Sequence, residues 1–142
     1  MNHYTVTVEK ETETDFKPGR TILIAFLFAI LLKMFCFDFV IVEGNSMLPS
    51  LKPGAVLFVN QLAYGFRFPW MKNYLISWKK PAKNDIVVFI TPMGHTAVKR
   101  CDEIIDDVRF IALGDNENDS LDSRSYGPVP VDNILGKVAG RK

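Results

Sequence analysis

Ser46 is the residue of this chain whose surroundings most suggest covalent chemistry. It follows Gly44 and Asn45 and precedes Met47-Leu48-Pro49, so it lies at a tight bend after a strand-like segment. Such a bend exposes the hydroxyl and turns its own backbone N–H toward the same spot, which supplies the nucleophile and the oxyanion donor that acyl transfer needs. Gly-Asn-Ser is also ordinary turn chemistry, and most such serines are inert. The local sequence leaves both interpretations open.

Lys99 is the candidate base. A serine hydroxyl needs a base to take its proton, and no histidine of this chain stands in a motif that would supply one. A neutral lysine can serve, because burial lowers the pKa of a lysine from its ordinary value of about 10.4. Strand alternation over 96–101 puts Lys99 on the face of Ala97 and opposite Val98 and Arg100. A solvated strand lysine fits the same residues.

One apolar segment precedes these candidates. Residues 21–32 read TILIAFLFAILL without a charge, and extension to residue 37 gives seventeen residues, near the shortest helix that spans a bilayer. Basic residues precede the run, and only acidic charges stand between Lys33 and Lys52, so the positive-inside rule puts the N-terminus in the cytoplasm. Bulky residues after the run disfavour a cleaved signal, and apolar residues on all faces disfavour a core helix. We predict a cytoplasmic tail over 1–20, a transmembrane anchor over 21–37 and an extracytoplasmic domain over 38–142.

The residues after the anchor read as strands joined by turns. Runs of β-branched and aromatic residues predict strands over 37–42, 55–60, 85–90, 96–101, 108–113, 129–131 and 134–138. Pro and Gly turns separate these runs, and no alternating helices intervene. We therefore expect a mainly β domain.

The segment 61–80 carries six aromatic residues among basic ones. One interpretation is a long hairpin folded partly over the core. The other is contact with the membrane surface, because Trp and Tyr favour the interfacial zone and Lys or Arg meets lipid headgroups. The residues alone leave both open.

Composition argues against several classes of site. Lys and Arg number 17 against 16 Asp and Glu, and this balance does not favour nucleic acid as a partner. The two cysteines, Cys36 and Cys101, are far apart and read as unpaired buried thiols. No Cys/His group has the spacing of metal ligands, so we expect neither a metal nor a cofactor.

Four sequence blocks resemble those of type I signal peptidases. The nucleophile segment is GNSMLPSL over 44–51, with Ser50 where the family usually has Thr. The second block is NDIVVF over 84–89, and the third is the lysine strand over 97–100. The fourth, the most distinctive, comprises GDN at 114–116, Ser120, DSR at 122–124, Gly127 and Val129-Pro130. The blocks stand in the family's order after an anchor and cover most of residues 37–138.

The resemblance implies a β-rich protease domain with Ser46 as nucleophile and neutral Lys99 as general base. It implies that the Ser46 N–H is the oxyanion donor, while Gly44 stands where some members have a second donor. It implies that Ser120 hydrogen-bonds and orients the lysine amine. It implies that Asp115, Asp122 and Arg124 support the site, the last two as an ion pair. The other interpretation of Asp122 and Arg124 is a plain surface salt bridge, which contributes little. A substrate strand would add to the exposed edges near 40–42 and 96–98, with pocket walls from Ile41, Val42, Ala97 and Val98.

The implied function is removal of N-terminal signal peptides from exported preproteins at the cytoplasmic membrane. Its partners would be those signal peptides and the lipid bilayer, and the residues point to no particular oligomeric state. Two alternatives stay open: a dedicated Ser-Lys processing peptidase with one or few substrates, and a non-catalytic membrane-anchored binding protein. The stretch CDEIIDD over 101–107 replaces a Gly-Leu-Pro-Gly-Asp-like stretch usual in the family, a departure that bears on substrate range more than on chemistry.

Overall fold

The computed structural model describes residues 18–68, 70–71 and 73–140; the predicted tail therefore lies outside the described residues as far as residue 17. Two α-helices and nine strands make up the described chain, with 3₁₀ turns at Glu117–Asp119 and Val131–Asn133. The helices are α1 (Pro18–Cys36) and α2 (Ser123–Tyr126). The strands are β1 (Phe37–Ile41), β2 (Val56–Asn60), β3 (Gly65–Phe66), β4 (Ile76–Ser77), β5 (Ile86–Ile90), β6 (Thr96–Ile105), β7 (Arg109–Leu113), β8 (Val129–Pro130) and β9 (Ile134–Val138).

Helix α1 is long and apolar enough to cross a membrane. Its 19 residues have a mean hydropathy of 2.0 over the best 18-residue window, and none of them is buried in the protein. At 1.5 Å per residue the helix is about 28 Å long, close to the thickness of a hydrocarbon core. Phe37, predicted as the last anchor residue, instead begins β1, because it pairs with Asn60 of β2.

Seven of the nine strands form one curled antiparallel sheet, in the order β1-β2-β9-β5-β6-β7-β8. The prediction of a mainly β domain after an apolar helix is confirmed. Strand β5 lies in the middle, and its side chains alternate between two cores. Val87 and Phe89 pack into one core, with Phe110 and Ile134. Ile86 and Val88 pack into the other, whose members also include Met47, Leu51, Leu57 and Val59.

Strand β6 is four residues longer than the predicted run over 96–101. A register shift between Cys101 and Glu103 lets β6 continue its pairing with β7 as far as Ile105, opposite Arg109. The turn that follows contains two non-glycine residues with positive φ, Asp106 and Asp107. Aspartate tolerates this left-handed conformation better than most residues, so the acidic stretch supplies both the end of a strand and its turn.

The described residues of the segment 61–80 form a hairpin built on β3 and β4. The hydroxyl of Tyr64, a residue only 1% exposed, donates to Asp85 Oδ2 at 2.9 Å. The hydroxyl of Tyr74 donates to the Ile134 carbonyl at 2.8 Å. The two bonds hold the hairpin against the main sheet, as the first interpretation predicts. Contact of this segment with the membrane surface stays a prediction.

Two strand edges are open near the predicted site. Strand β1 stands at the end of the sheet order, with β2 on one side. Strand β6 pairs with β5 over Thr96–Arg100, whereas its pairing with β7 begins at Arg100. In the described part of the chain, β1 and residues 96–99 of β6 therefore each have one edge without a neighbouring strand.

Candidate active site

The loop that carries Ser46 is fixed by its own backbone and by two buried side chains. Gly44 has a φ of +78°, a left-handed conformation that glycine adopts without strain. Met47 and Leu51 are 1% and 0% exposed, and the Leu51 N–H donates to the Met47 carbonyl at 2.8 Å. Ser46, which is partly exposed, therefore lies between a glycine bend and an anchored turn.

Residues 114–116 pack directly on this loop. The Asn116 N–H donates to the Ser46 carbonyl at 2.9 Å, and the Asn116 side-chain amide donates to the Asn45 carbonyl at 3.1 Å. A Cβ on Gly114 would collide with the Ser46 carbonyl oxygen and with Ser120 Oγ. Glycine at 114 thus allows the two segments to approach closely, and Asn116 fixes their relative position.

Lys99 lies on β6 and is only 4% exposed. Strand alternation puts it on the face of Ala97 and Cys101, both of which pack on the core that contains Phe89. Burial lowers the pKa of Lys99 below its ordinary value. Attraction to Asp122 opposes that shift and repulsion from Arg124 adds to it. The net result favours the neutral amine.

Arg100 points to the opposite face, as the alternation predicts. Its guanidinium donates twice to Asp115, from Nε to Oδ1 and from Nη2 to Oδ2, both at 2.8 Å, and once to the Asn84 carbonyl at 3.1 Å. These bonds raise the pKa of Arg100 and lower the pKa of Asp115. Asp115, predicted to support the site, thus binds a cation that would otherwise lie unpaired beside Lys99.

Asp122 is completely buried and saturated with donors. Its carboxylate accepts from the Gly114 N–H at 2.8 Å, from the Ser120 hydroxyl at 2.6 Å and from Arg124 Nη2 at 2.6 Å. Burial alone would raise the pKa of Asp122, but these bonds outweigh it and hold the pKa well below its usual range. Arg124 is 37% exposed and Asp122 is 0% exposed, so the pair differs from a surface salt bridge by having its acid inside the protein.

Ser120 lies between Asp122 and the Gly114 backbone. Its hydroxyl donates its proton to Asp122, which leaves the oxygen lone pairs to accept a hydrogen bond from another group. An amine such as that of Lys99 could use this acceptor. The orienting role of Ser120 stays a prediction.

Ser46 and Lys99 line one cleft of about 500 Å³. The four predicted wall residues line the same cleft, together with one leucine for which the sequence predicted no role: Ile41, Val42, Ala97, Val98 and Leu121. The open edges of β1 and of the beginning of β6 border it. No role was predicted for Gly114 and Asn116, although both belong to the Gly-Asp-Asn motif over 114–116. Their place in that motif was the signal that could have indicated their contact with the Ser46 loop.

The cysteines lie outside this cleft and are both free. Cys101 is 0% exposed, and burial raises the pKa of its thiol to about 11. A buried thiol of this kind is neutral and unreactive.

Comparison with known proteins agrees with the geometry. The family model described as signal peptidase, peptidase S26, matches residues 16–103 and 98–141. Signal peptidase I T of Bacillus subtilis (strain 168) is 46% identical over 55 residues, which cover 39% of this chain and 28% of that relative. Signal peptidase I of Bacillus caldolyticus is 28% identical over 146 residues, covering 75% of this chain and 80% of that relative.

A eukaryotic organelle protein shows a similar match. Mitochondrial inner membrane protease subunit 1 of Xenopus tropicalis is 31% identical over 114 residues, covering 73% of this chain and 68% of that relative. The family model spans nearly all of the described chain, and it includes both the Ser46 loop and the Lys99 strand. The chain therefore belongs to the signal peptidase family, peptidase S26.

Proposed function

We propose that this protein is a membrane-anchored serine endopeptidase that removes N-terminal signal peptides from exported preproteins. Ser46 is the nucleophile and neutral Lys99 is the general base. The observation that carries the proposal is that a buried lysine with a lowered pKa opens on the same cleft as a serine held at a glycine bend. Signal peptidases among the relatives support the choice of substrate.

The chemistry follows from these two groups. The neutral Lys99 amine takes the Ser46 proton while Oγ attacks the carbonyl carbon of the scissile peptide bond. The tetrahedral oxyanion accepts a hydrogen bond from the Ser46 N–H. The Lys99 ammonium then protonates the leaving amine, and the acyl-enzyme forms. Lys99 next takes a proton from water while the water oxygen attacks the ester carbonyl carbon. The bond from that carbon to Ser46 Oγ then breaks, the signal peptide leaves, and the Lys99 ammonium returns a proton to Ser46.

The buried acid cluster has a supporting part in this mechanism. Ser120, whose hydroxyl donates to Asp122, accepts from the Lys99 amine and aims its lone pair at Ser46. Arg124 neutralises Asp122, so the carboxylate does not hold Lys99 in its charged form. Arg100 does the same for Asp115 on the other face.

The substrate binds as an added strand. A peptide between the open edges of β1 and the beginning of β6 would pair through its backbone, with its side chains facing Ile41, Val42, Ala97 and Val98. The narrow space between two strands suits small side chains beside the cut bond. Strand addition also brings the scissile carbonyl to Ser46, because β1 leads directly into the Ser46 loop.

Helix α1 anchors the enzyme in the cytoplasmic membrane. Basic residues precede the helix and acidic residues follow it, so the N-terminus is cytoplasmic and the catalytic domain lies on the extracytoplasmic side. The resulting position matches the side on which exported preproteins emerge.

A dedicated processing peptidase is the second candidate. Its support is the similarity to organelle enzymes whose names describe processing: thylakoidal processing peptidase 1 of Arabidopsis thaliana is 24% identical over 136 residues. The discriminator is the number of different preproteins cut by the purified enzyme.

The test uses the full chain purified in detergent with a panel of preproteins that carry Ala-x-Ala sites. Wild type should cut several of them after the final Ala, and Ser46→Ala and Lys99→Ala should cut none. Cleavage of one substrate alone favours the dedicated enzyme. Cleavage by Lys99→Ala at most of the wild-type rate contradicts the assignment of the base.

A further inference from the structure

A second cleft of about 780 Å³ lies between the end of α1 and the sheet. One wall is a face of α1 formed by Ile30, Lys33 and Met34, which are spaced as neighbours on a helix. The opposite wall is apolar and comes from β2, β5 and β9: Val59, Val88, Ile90 and Leu135. The mechanism described above uses none of these residues.

The second cleft adjoins the active-site cleft. Val40 of β1 and Thr96 of β6 line both, and these residues belong to the two open strand edges. Along β1, the first cleft extends from Val42 to Val40 and the second continues to Asp38. A strand laid along β1 from Ser46 toward α1 therefore leaves the first cleft directly into the second.

The length of a strand fixes which substrate residues reach it. An extended chain advances about 3.3 Å per residue, so the part beyond Val40 begins about four residues from the cut bond. The apolar part of a signal peptide precedes its cleavage site and lies in the membrane with α1, so the upstream side of the substrate is the side that enters the second cleft. Residues about four to six positions before the cut bond would occupy it.

The second cleft carries two cations with no ion-pair partner among the residues that the structure describes, Lys33 and Arg67. Arg67 is partly buried, and its guanidinium carbon lies 5.9 Å from the centroid of the Tyr74 ring. Tyr74 is itself bound to the Ile134 carbonyl, so the hairpin holds Arg67 in place. Among the described residues, Asp38 is the one acid that lines the cleft, which leaves a net positive charge against apolar walls.

We propose that this cleft is an upstream subsite for the substrate that accepts apolar or acidic side chains and excludes basic ones about four to six residues before the cut bond. The inference rests on the proposed function, because that function fixes the direction in which the peptide is bound. Arg67 is a specificity-determining residue in this subsite, because a basic substrate side chain would place two positive charges in a partly desolvated space.

The test uses three peptides with one Ala-x-Ala site that differ only at the fifth residue before the cut, which is Lys, Gln or Glu. Wild type in a neutral detergent should cut the Glu peptide about tenfold faster than the Lys peptide, by kcat/KM. Arg67→Glu should reverse that order. Lys79→Glu makes the same charge change at an exposed position of the same hairpin outside both clefts, and it should keep the wild-type order.

Binding to the Ser46→Ala protein, measured by fluorescence anisotropy, separates this inference from the proposed function. A tighter complex with Glu than with Lys supports the subsite whether or not any peptide is cut. Equal binding of the Lys and Glu peptides overturns it. Equal shifts of preference in Arg67→Glu and Lys79→Glu also overturn it, because they indicate a long-range field. So does an Arg67 effect that is the same for all three peptides and appears only with anionic lipid vesicles, since Arg67 then contacts headgroups.

Discussion

Lys99 and Arg100 are neighbours on β6, but their side chains reach two different electrostatic environments. Lys99 is nearly inaccessible, and its pKa is lowered mainly because burial disfavours the charged form. Arg100 lies on the other face, where two hydrogen bonds to Asp115 raise its pKa. Adjacent positions of one strand thus carry a lysine whose neutral form is favoured by burial and an arginine whose charged form is stabilised by an acid.

The difference shows what a lysine base needs besides burial. Two of the anions that act on Lys99 are bound to arginines: Asp122 to Arg124 and Asp115 to Arg100. If either acid lacked its arginine, its charge would stabilise the Lys99 ammonium and remove the base. The two arginines therefore weaken the attraction of those carboxylates for a proton on Lys99, although neither arginine lines the cleft of Ser46 and Lys99.

Replacement of Lys99 should have the largest effect. Lys99→Met and Lys99→Arg should each lower kcat/KM about 10³-fold, because neither side chain can accept the Ser46 proton. Lys99→Met should also raise the melting temperature at pH 7. The pKa of Lys99 is lower in the folded than in the unfolded chain, so between these two pKa values the unfolded chain binds more protons. The free energy of unfolding is therefore reduced at pH 7 and recovers as the pH rises toward the unfolded pKa.

Thermal unfolding and peptide cleavage at pH 7 measure both effects, with Ser46→Ala as an inactive control whose lysine is intact. A lower melting temperature for Lys99→Met would contradict the cost of burying its amine.

Gly114→Ala should break the contact between residues 114–116 and the Ser46 loop. The new Cβ would collide with the Ser46 carbonyl and Ser120 Oγ, so we expect kcat/KM to fall about 10²-fold through misplacement of the nucleophile loop. Gly136→Ala is the matched control, because its Cβ would meet Asn60 O and Val59 Cγ1, both at 2.7 Å, away from the cleft. It should lower stability by about 1–3 kcal/mol. Equal activity losses in the two variants would indicate general unfolding.

Arg100→Met should lower stability, the opposite sign to Lys99→Met. The change leaves Asp115, whose side chain is 15% exposed, without its cation, and we expect a loss of about 1–2 kcal/mol in urea unfolding. The pH midpoint of cleavage should rise as well, because free Asp115 attracts a proton to Lys99. Equal stabilities of the wild type and Arg100→Met would show that the ion pair contributes nothing.

The pH dependence of cleavage gives a smaller and more specific effect. Under the proposed mechanism activity needs neutral Lys99. We therefore expect kcat/KM to be low at pH values below the lowered pKa of that amine and to rise as the pH passes through it. In Arg124→Met, Asp122 is no longer paired and the midpoint should move to higher pH. A midpoint that does not move would mean that Arg124 has no part in keeping Lys99 neutral.

Asn116→Ala should have the smallest effect. It removes the side-chain bond to the Asn45 carbonyl but leaves the backbone bond to Ser46. We expect kcat to fall about threefold to tenfold with KM unchanged, since one neutral hydrogen bond contributes about 1 kcal/mol. Steady-state kinetics checks this, and a change confined to KM would place Asn116 in substrate binding instead.

The sequence predicts the sheet well where β-branched residues alternate between two cores. Strand β9 is found at its predicted bounds, and β5 begins one residue late because the Asp85 N–H donates to the Ala82 carbonyl in the preceding turn, at 3.0 Å. Residues 102–105 were missed as part of β6, because acidic side chains in that stretch hid the continuation of the strand past a bulge. The short hairpin strands carry no alternation long enough to detect.

The sequence predicts which residues make up the candidate site, but not the contacts between them. Motif spacing nominated Ser46 and Lys99, and alternation alone separated Lys99 from Arg100. The side-chain bond of Asn116 to Asn45 joins residues 71 positions apart, and the second cleft combines one helix with residues of five strands. Such contacts depend on how the sheet curls, which local residue patterns do not encode.

Helix α1 passes into β1 with no intervening residues, and under the proposed function this connection would limit where a bond can be cut. Strand β1 has five residues and spans about 17 Å, so in an enzyme anchored by α1 the nucleophile stays at a nearly constant height above the bilayer. A bond is reached only if the substrate leaves the lipid within that height. Depth of insertion, and not residue identity alone, would then decide which of several similar sites in one preprotein is used.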